Sequence, residues 1–178
     1  MEEPATFRRA TERDLEAIAR IHVESWRATY RGIVPDTILE GLSVDDRLVA
    51  WQGWYVTPGA EIWLAARSAS PVAFSRLVPA ATDRPGRSDT AEITHLYALP
   101  AVVGGGIGHS LFSRMLARAR QRGSDSLTLW VLEENQCARR FYEGSGMRSD
   151  GARQTRPEWL GEGVYEVRYD LELECSGT

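Results

Sequence analysis

A run of glycines at residues 104–108, which reads Gly-Gly-Gly-Ile-Gly, constrains the fold of this chain more than any other segment. It stands between a strand-like run at 92–99 and a segment whose apolar residues recur at helical spacing from Ile107 onward. Glycines let the backbone turn and approach a ligand closely, and the start of a helix offers free N–H groups and positive potential. The run predicts a strand–turn–helix unit that either binds an anion such as pyrophosphate or is only a tight turn.

Two better-known glycine loops do not match this segment. A P-loop requires a lysine after its last glycine, and the chain contains no lysine. A dinucleotide-binding loop requires Gly-x-Gly-x-x-Gly, and His109 stands where the third glycine would be. The sequence therefore excludes both kinds of nucleotide site.

Hydrophobic spacing and turn residues predict strands and helices on both sides of the glycine turn. The predicted strands are 6–9, 62–66, 72–78, 92–99, 127–132, 147–150 and 164–173, and the predicted helices are about 12–30, 36–42, 43–58, 107–123 and 135–143. Residues 79–90 read as a loop and 174–178 as a frayed tail. Early hairpins and a central β–α–β crossover predict an α/β (α+β) fold, a mixed sheet with helices on its faces.

Bulk properties favour one cytoplasmic domain spanning 1–178, ordered from about residue 5 to 174. The net charge of -4 argues against a nucleic-acid binder, and no apolar run reaches the ~18 residues of a membrane span. The N-terminus is acidic, unlike a signal peptide. Cys137 and Cys175 have no metal-ligand or disulfide spacing, so we expect free thiols and no metal.

Three blocks of sequence resemble the GNAT superfamily of N-acetyltransferases, and the resemblance extends over nearly the whole chain. Residues 96–100, Leu-Tyr-Ala-Leu-Pro, with the glycine turn and the helix after it, look like the acetyl-CoA-binding motif of that family. Residues 135–147 are similar to its Asn-x-x-Ala-x-x-Phe-Tyr-x-x-x-Gly-Phe pattern, and residues 26–35 to its first two helices. The resemblance implies a mostly antiparallel, seven-stranded sheet flanked by helices, with splayed fourth and fifth strands.

The resemblance also implies a set of residues that bind acetyl-CoA. These are Leu96, Tyr97, Ala98, Val103, Gly104, Gly105, Gly106, Ile107, Gly108, His109, Asn135, Ala138 and Tyr142. Val103 departs from the family pattern, which has Arg or Gln there, so pyrophosphate binding would rely largely on backbone N–H groups. Asn135 is expected to cap its helix, to contact the coenzyme, or both.

For catalysis, the resemblance implies direct attack of an amine, with Glu92 as general base and Tyr142 as general acid. The alternatives are that Glu92 is an exposed strand-end acid and that Tyr142 is an ordinary core aromatic. His95 is a second candidate base, but strand alternation places it on the face opposite Glu92 unless the strand bulges.

The acceptor is less constrained by the sequence. Trp26, Tyr30 and Trp159 are expected to wall its pocket, although Trp26 fits the core equally well. Arg27 and Arg31 would favour an acidic substrate, whereas an amine-binding rim would come from Glu133, Glu134, Glu158 and Glu162. We expect the acceptor to be a small-molecule or peptide amine. Members of the family often form dimers, so the resemblance implies a homodimer.

Three hypotheses about function follow. The first is an acetyl-CoA-dependent N-acetyltransferase. The second is an acyl-CoA-binding or degenerate regulatory module of the same fold without turnover, which Val103 keeps open. The third is a structural domain with an empty glycine turn.

Overall fold

The computed structural model describes residues 4–80 and 89–173. Its strands are β1 Thr6–Arg9, β2 Glu61–Arg67, β3 Ser70–Pro79, β4 Thr90–Ala98, β5 Ser126–Leu132, β6 Arg148–Thr155 and β7 Tyr165–Glu172. Its helices are α1 Leu15–Thr29, α2 Asp36–Glu40, α3 Val44–Tyr55, α4 Ile107–Gln121, α5 Gln136–Gly144 and α6 Pro157–Leu160. The predicted frayed tail, Cys175 and most of the predicted loop at 79–90 lie outside the described residues.

The strands form a seven-stranded sheet in the order β1-β2-β3-β4-β5-β7-β6. Every neighbouring pair is antiparallel except β4 and β5, which are parallel. Alternation along β2 supplies both faces, because Ile62 and Leu64 pack with α1 and α3 while Trp63 and Ala65 pack with α4. The predicted mixed, mostly antiparallel sheet flanked by helices is therefore confirmed.

Local signals in the sequence set where the helices begin and end. The Asp14 carboxylate accepts the Thr11 backbone N–H at 2.7 Å, at the short 3-10 turn that leads into α1. The Ser43 hydroxyl accepts the Asp46 N–H at 3.3 Å and caps α3. Gly123 adopts a φ of 79° just after α4, as expected of a glycine that ends a helix.

The structure differs from the sequence prediction near the C-terminus. Strand β6 runs on to Thr155 instead of ending at 150, because a register irregularity between Ser149 and Arg153, with Gly151 at a φ of 85°, interrupts the alternation without ending the strand. The four-residue helix α6 was not predicted, since one turn is too short to show a hydrophobic period.

Two irregularities in β4 position the functional site. Pairing between β4 and β5 stops at Glu92 and Thr128, so the strands diverge beyond that point, as the predicted splay requires. On its other edge, β4 pairs His95 with Arg76 but Ile93 with Leu77, which leaves Thr94 as a bulge. The splay opens a gap in the sheet, and the bulge changes which side chains face it.

Candidate active site

The gap between β4 and β5 forms a cavity of about 560 Å³, here called the splay cavity. Residues 93–98 of β4 line one side of it and residues 130–132 of β5 line the other. The glycine turn closes one end, and Asn135, Ala138, Phe141 and Tyr142 contribute from the α5 region. The lining of the cavity is mostly apolar.

Backbone groups of β4 point into this cavity. Leu99 N–H donates to the Val72 carbonyl at 2.9 Å, which fixes the alternation of the β3–β4 ladder. Leu96 and Ala98 therefore direct their N–H and C=O groups away from β3, towards the gap. The Ser25 hydroxyl donates to the Ala98 carbonyl at 2.9 Å. The strand thus offers an extended ligand an edge for hydrogen bonding, as one strand offers another.

The glycine turn shapes the end of the splay cavity. Gly104 and Gly106 have φ values of 86° and 79°, a region that disfavours any residue with a Cβ. Gly108 lies in the first turn of α4, and an added Cβ there would meet no atom within 4 Å other than those of its chain neighbours and its own helix backbone. The turn therefore leaves open space in front of the free N–H groups of a 15-residue helix.

Most of the residues predicted to bind the coenzyme come together at this cavity. The ones that line it are Leu96, Tyr97, Ala98, Val103, Gly104, Gly106, Gly108, His109, Asn135, Ala138 and Tyr142. Gly105 and Ile107 do not line it. The Ile107 side chain is buried in the core beneath α4, and a Cβ on Gly105 would face the Arg67 side chain at 3.2 Å.

Asn135 and Tyr142 both reach the splay cavity from α5. The Asn135 side-chain oxygen accepts the Ala138 N–H at 3.1 Å, so Asn135 caps the helix while also lining the cavity. Tyr142 is 9% exposed and packs against Phe112 and Phe141. Within the described part of the chain its hydroxyl has no hydrogen-bond partner. Burial, and secondarily the nearby Tyr97, raise the pKa of Tyr142, which keeps the phenol protonated.

A second cavity of about 350 Å³, here called the side cavity, adjoins the first. The two share Trp26, Ile93, Thr94, His95, Tyr97, Trp130, Leu160 and Glu166. The side cavity adds His22, Arg47, Trp54, Arg76, Glu92, Arg156 and Trp159. It therefore combines aromatic walls with charged groups beside the middle of β4.

Glu92 and His95 both line the side cavity, so the expectation that they face opposite sides of β4 is wrong. The bulge at Thr94 is the physical reason, because one extra residue reverses the alternation between them. Burial raises the pKa of Glu92, and Glu166 acts in the same direction, while Arg156 and Arg76 oppose the shift. Burial is also the main reason that the pKa of His95 falls to about 3.

The residues predicted to contact the acceptor divide between the two cavities. Trp26 lines both, Tyr30 lines the splay cavity and Trp159 lines the side cavity. Arg27 instead donates to the carbonyls of Leu39 and Leu42. Arg31 and the four suggested rim acids, Glu133, Glu134, Glu158 and Glu162, line neither cavity.

Sequence reasoning missed several polar groups of the side cavity, namely His22, Arg47, Arg76 and Glu166. Arg47 had a usable signal, because it lies four residues before the fully buried Trp51 and hence on the inward face of α3. His22 had the same signal on α1. Among the described residues, no group of three or more His, Cys, Asp or Glu side chains is placed to hold a metal ion. In the same part of the chain, no helix combines the length and apolar character needed to cross a membrane.

The N-acetyltransferases have this arrangement, in which a parallel strand pair opens over the glycine-rich start of a helix. Comparison with known proteins points to the same class of enzyme. The sequence matches the acetyltransferase (GNAT) family over residues 15–147. YuaI of Bacillus subtilis, an uncharacterized N-acetyltransferase, is 28% identical over 135 residues, which are 73% of each chain. An uncharacterized N-acetyltransferase of Archaeoglobus fulgidus is 29% identical over 158 residues, 88% of this chain and 97% of that relative.

A solved structure extends the comparison to the fold. The PaiA N-acetyltransferase of Thermoplasma acidophilum, in complex with coenzyme A, has a TM-score of 0.75 at 19% identity over 96% of this chain and 99% of its own. The chain belongs to the acetyltransferase (GNAT) family, and it is an acetyl-CoA-dependent N-acetyltransferase.

Proposed function

We propose that this protein transfers the acetyl group of acetyl-CoA to a primary amine held in the side cavity, with Glu92 as general base and Tyr142 as general acid. The observation that carries the proposal is the bulge at Thr94, because it puts the half-buried Glu92 on the same face as His95, in a cavity that opens onto the splay cavity. Glu92 lines the side cavity and Tyr142 lines the splay cavity, and the two cavities share the middle of β4.

The residues around the splay cavity fit the coenzyme. The glycine turn and the start of α4 would hold the pyrophosphate through backbone N–H groups, since Val103 is 67% exposed and brings no donor from its side chain. Leu96 and Ala98 would hydrogen-bond the pantetheine arm along β4. One of these N–H groups would also donate to the oxygen of the thioester carbonyl and so polarise it, which makes the carbonyl carbon easier for the amine to attack.

Proton transfer completes the reaction on this reading. Glu92 accepts the proton that the acceptor nitrogen loses as the new C–N bond forms. Tyr142 donates its phenolic proton to the sulfur as the C–S bond breaks. We assign the base to Glu92 and not to His95 because a raised carboxylate pKa suits proton removal near neutral pH, whereas a histidine with a pKa of about 3 is a weak base.

Acetyl-CoA should stabilise the protein, because a ligand that binds only the native state raises the free energy of unfolding. At about one hundred times the dissociation constant the gain is about 2.7 kcal/mol, which corresponds to a rise in Tm of roughly 5 °C or more. Differential scanning fluorimetry measures the shift, and thiol release across an amine panel measures turnover. No shift at millimolar acetyl-CoA would overturn the proposal, and a shift without thiol release would favour the binding-module hypothesis.

Gly108→Ala tests whether a ligand approaches the start of α4 closely. Apart from its chain neighbours and the backbone of its own helix, nothing in the protein lies within 4 Å of the added methyl group. The free energy of unfolding of the unliganded protein should therefore stay unchanged or rise by up to about 1 kcal/mol. The acetyl-CoA-induced shift should nevertheless shrink, because the methyl group would stand where the pyrophosphate has to approach.

Gly144→Ala is the matched control for this test, as its added methyl group also meets nothing within 4 Å. Gly144 lies at the end of α5 and lines neither cavity. The control should keep the full acetyl-CoA shift. Equal shifts for the two variants would show that the coenzyme does not use this turn.

A further inference from the structure

Arg47 is a buried cation in an aromatic enclosure within the side cavity. It is 9% exposed, and its guanidinium carbon lies 5.7, 5.9 and 5.8 Å from the ring centroids of Trp26, Trp54 and Trp159. Among the described residues, the guanidinium group has no hydrogen-bond acceptor and no carboxylate within ion-pair distance. Cation–π contacts offset only part of the cost of taking this charge out of water. The group is therefore placed to receive a partner that the described residues do not supply.

The other two arginines of the side cavity have partners. Arg156 pairs with Glu166 at 3.2 Å. Arg76 donates hydrogen bonds to the Thr94 and Thr57 hydroxyl groups and to the Trp54 carbonyl. The negative charge of Glu92 also favours the charged form of Arg76. Three arginines and two carboxylates line the cavity in total. Arg47 thus leaves a formal surplus of one positive charge, which a bound anion would neutralise.

His22 adds an unsatisfied donor to the same cavity, where Trp26 Nε1 and Arg76 Nε also have no hydrogen-bond partner among the described residues. Its Nδ1 accepts the Trp51 indole N–H at 3.2 Å, so the proton of the neutral ring is assigned to Nε2. Within the described residues Nε2 has no hydrogen-bond partner, although His22 is only 1% exposed and its ring lines the side cavity. Several donors without acceptors call for a ligand group that only accepts hydrogen bonds, and a carboxylate is such a group.

We infer that the acceptor is a small amino acid, whose carboxylate binds Arg47 and whose amine faces Glu92. This inference rests on the proposed function and names its substrate class. Arginine is the residue best suited to a carboxylate, which it can bind through two parallel hydrogen bonds. The cavity of about 350 Å³ suits a small molecule. A polyamine would instead add positive charge to a cavity that already has a surplus.

Binding can be tested without turnover, because the three indoles around Arg47 report on ligands through their fluorescence. The protein, saturated with coenzyme A, is titrated with L-leucine, L-methionine and L-phenylalanine and with the carboxamide of each. At least one acid should bind, and each acid that binds should do so at least about tenfold more tightly than its carboxamide, the loss expected for one charge-assisted contact. Equal or tighter binding of the carboxamides, or no response to any acid, would overturn the inference.

Variants of Arg47 test whether this residue causes the preference for acids over carboxamides. Arg47→Gln should abolish the preference for the acids, mainly by raising the apparent Kd or KM, while leaving the acetyl-CoA-induced rise in Tm intact. Arg47→Lys should keep part of the preference, and Arg20→Gln, a change at an exposed arginine of α1, should keep all of it. If Arg47→Gln does not fold, the Arg47→Lys variant and the comparison of acids with carboxamides on the wild-type protein still test the inference.

The same measurements separate this inference from the proposed function. Absence of thiol release with every amine counts against the proposed transfer, whatever binds. Thiol release that is as efficient with carboxamides or simple alkylamines as with amino acids contradicts only the assignment of the substrate class.

Discussion

Glu92→Gln should lower kcat by about 10²–10⁴-fold, the usual contribution of a general base, while making the protein more stable at neutral pH. Glutamine keeps the size of the side chain but cannot accept the proton of the amine. The stability gain has a different cause, since burial takes the Glu92 carboxylate partly out of water and so opposes its charge. Steady-state kinetics and thermal unfolding of the same variant measure the two effects.

The pH dependence follows from the sign of the shift. A group whose folded pKa is raised contributes stability below its unfolded pKa, and that contribution is lost as pH rises through the folded pKa. The excess stability of Glu92→Gln over the wild type should therefore grow between about pH 4 and the raised pKa and then level off. Arg76, Arg156 and Arg168 favour the ionised form and Glu166 disfavours it, and all four remain in both proteins.

Activity should follow the same ionisation in the opposite sense. The wild-type kcat/KM should rise with pH as Glu92 loses its proton, at a pKa above the ordinary range of a glutamate. Glu158→Gln, a change at an exposed acid that lines neither cavity, should leave this profile unchanged. If His95→Asn removes activity while Glu92→Gln retains it, the role of the base belongs to His95.

The parts of this protein that the sequence predicts are those set by neighbours along the chain. The turn at 104–108 needs glycine where φ is positive, and Gly104 and Gly106 show this. Thr11 and Ser43 mark helix starts through contacts three residues away. The resemblance at 96–108 and 135–147 covers contiguous blocks, so it predicts one wall of the splay cavity almost residue by residue.

The side cavity could not be predicted in the same way, because distant segments build it. Arg47 meets Trp26 from α1 and Trp159 from α6, and no spacing in the sequence relates the three. The bulge at Thr94 depends on how β4 registers against β3, which the residues of β4 alone do not encode. For this reason the alternation rule placed Glu92 and His95 on opposite faces, and the pairing of the strands reversed that result.

Tyr142→Phe should lower kcat by about 10²-fold or more, the usual contribution of a general acid, without changing the rise in Tm that acetyl-CoA causes. The hydroxyl is the only group removed, and within the described residues it has no hydrogen-bond partner to lose. Because burial raises the pKa of Tyr142, the phenol stays protonated through the neutral range, and no loss of activity on the alkaline side should come from it there. Tyr165→Phe, at a ring stacked against Arg153 outside both cavities, is the control and should keep wild-type kcat.

The choice of acyl donor distinguishes a lost proton donor from a disturbed cavity. A general acid matters most when the leaving group holds its proton tightly, as an alkyl thiol does, and least when the leaving group is already a stable anion. With p-nitrophenyl acetate as donor, Tyr142→Phe should therefore come close to the wild-type rate, although it remains slow with acetyl-CoA. An equal loss with both donors would show that Tyr142 shapes the cavity and does not supply the proton, and the sulfur would then take its proton from another group or from water.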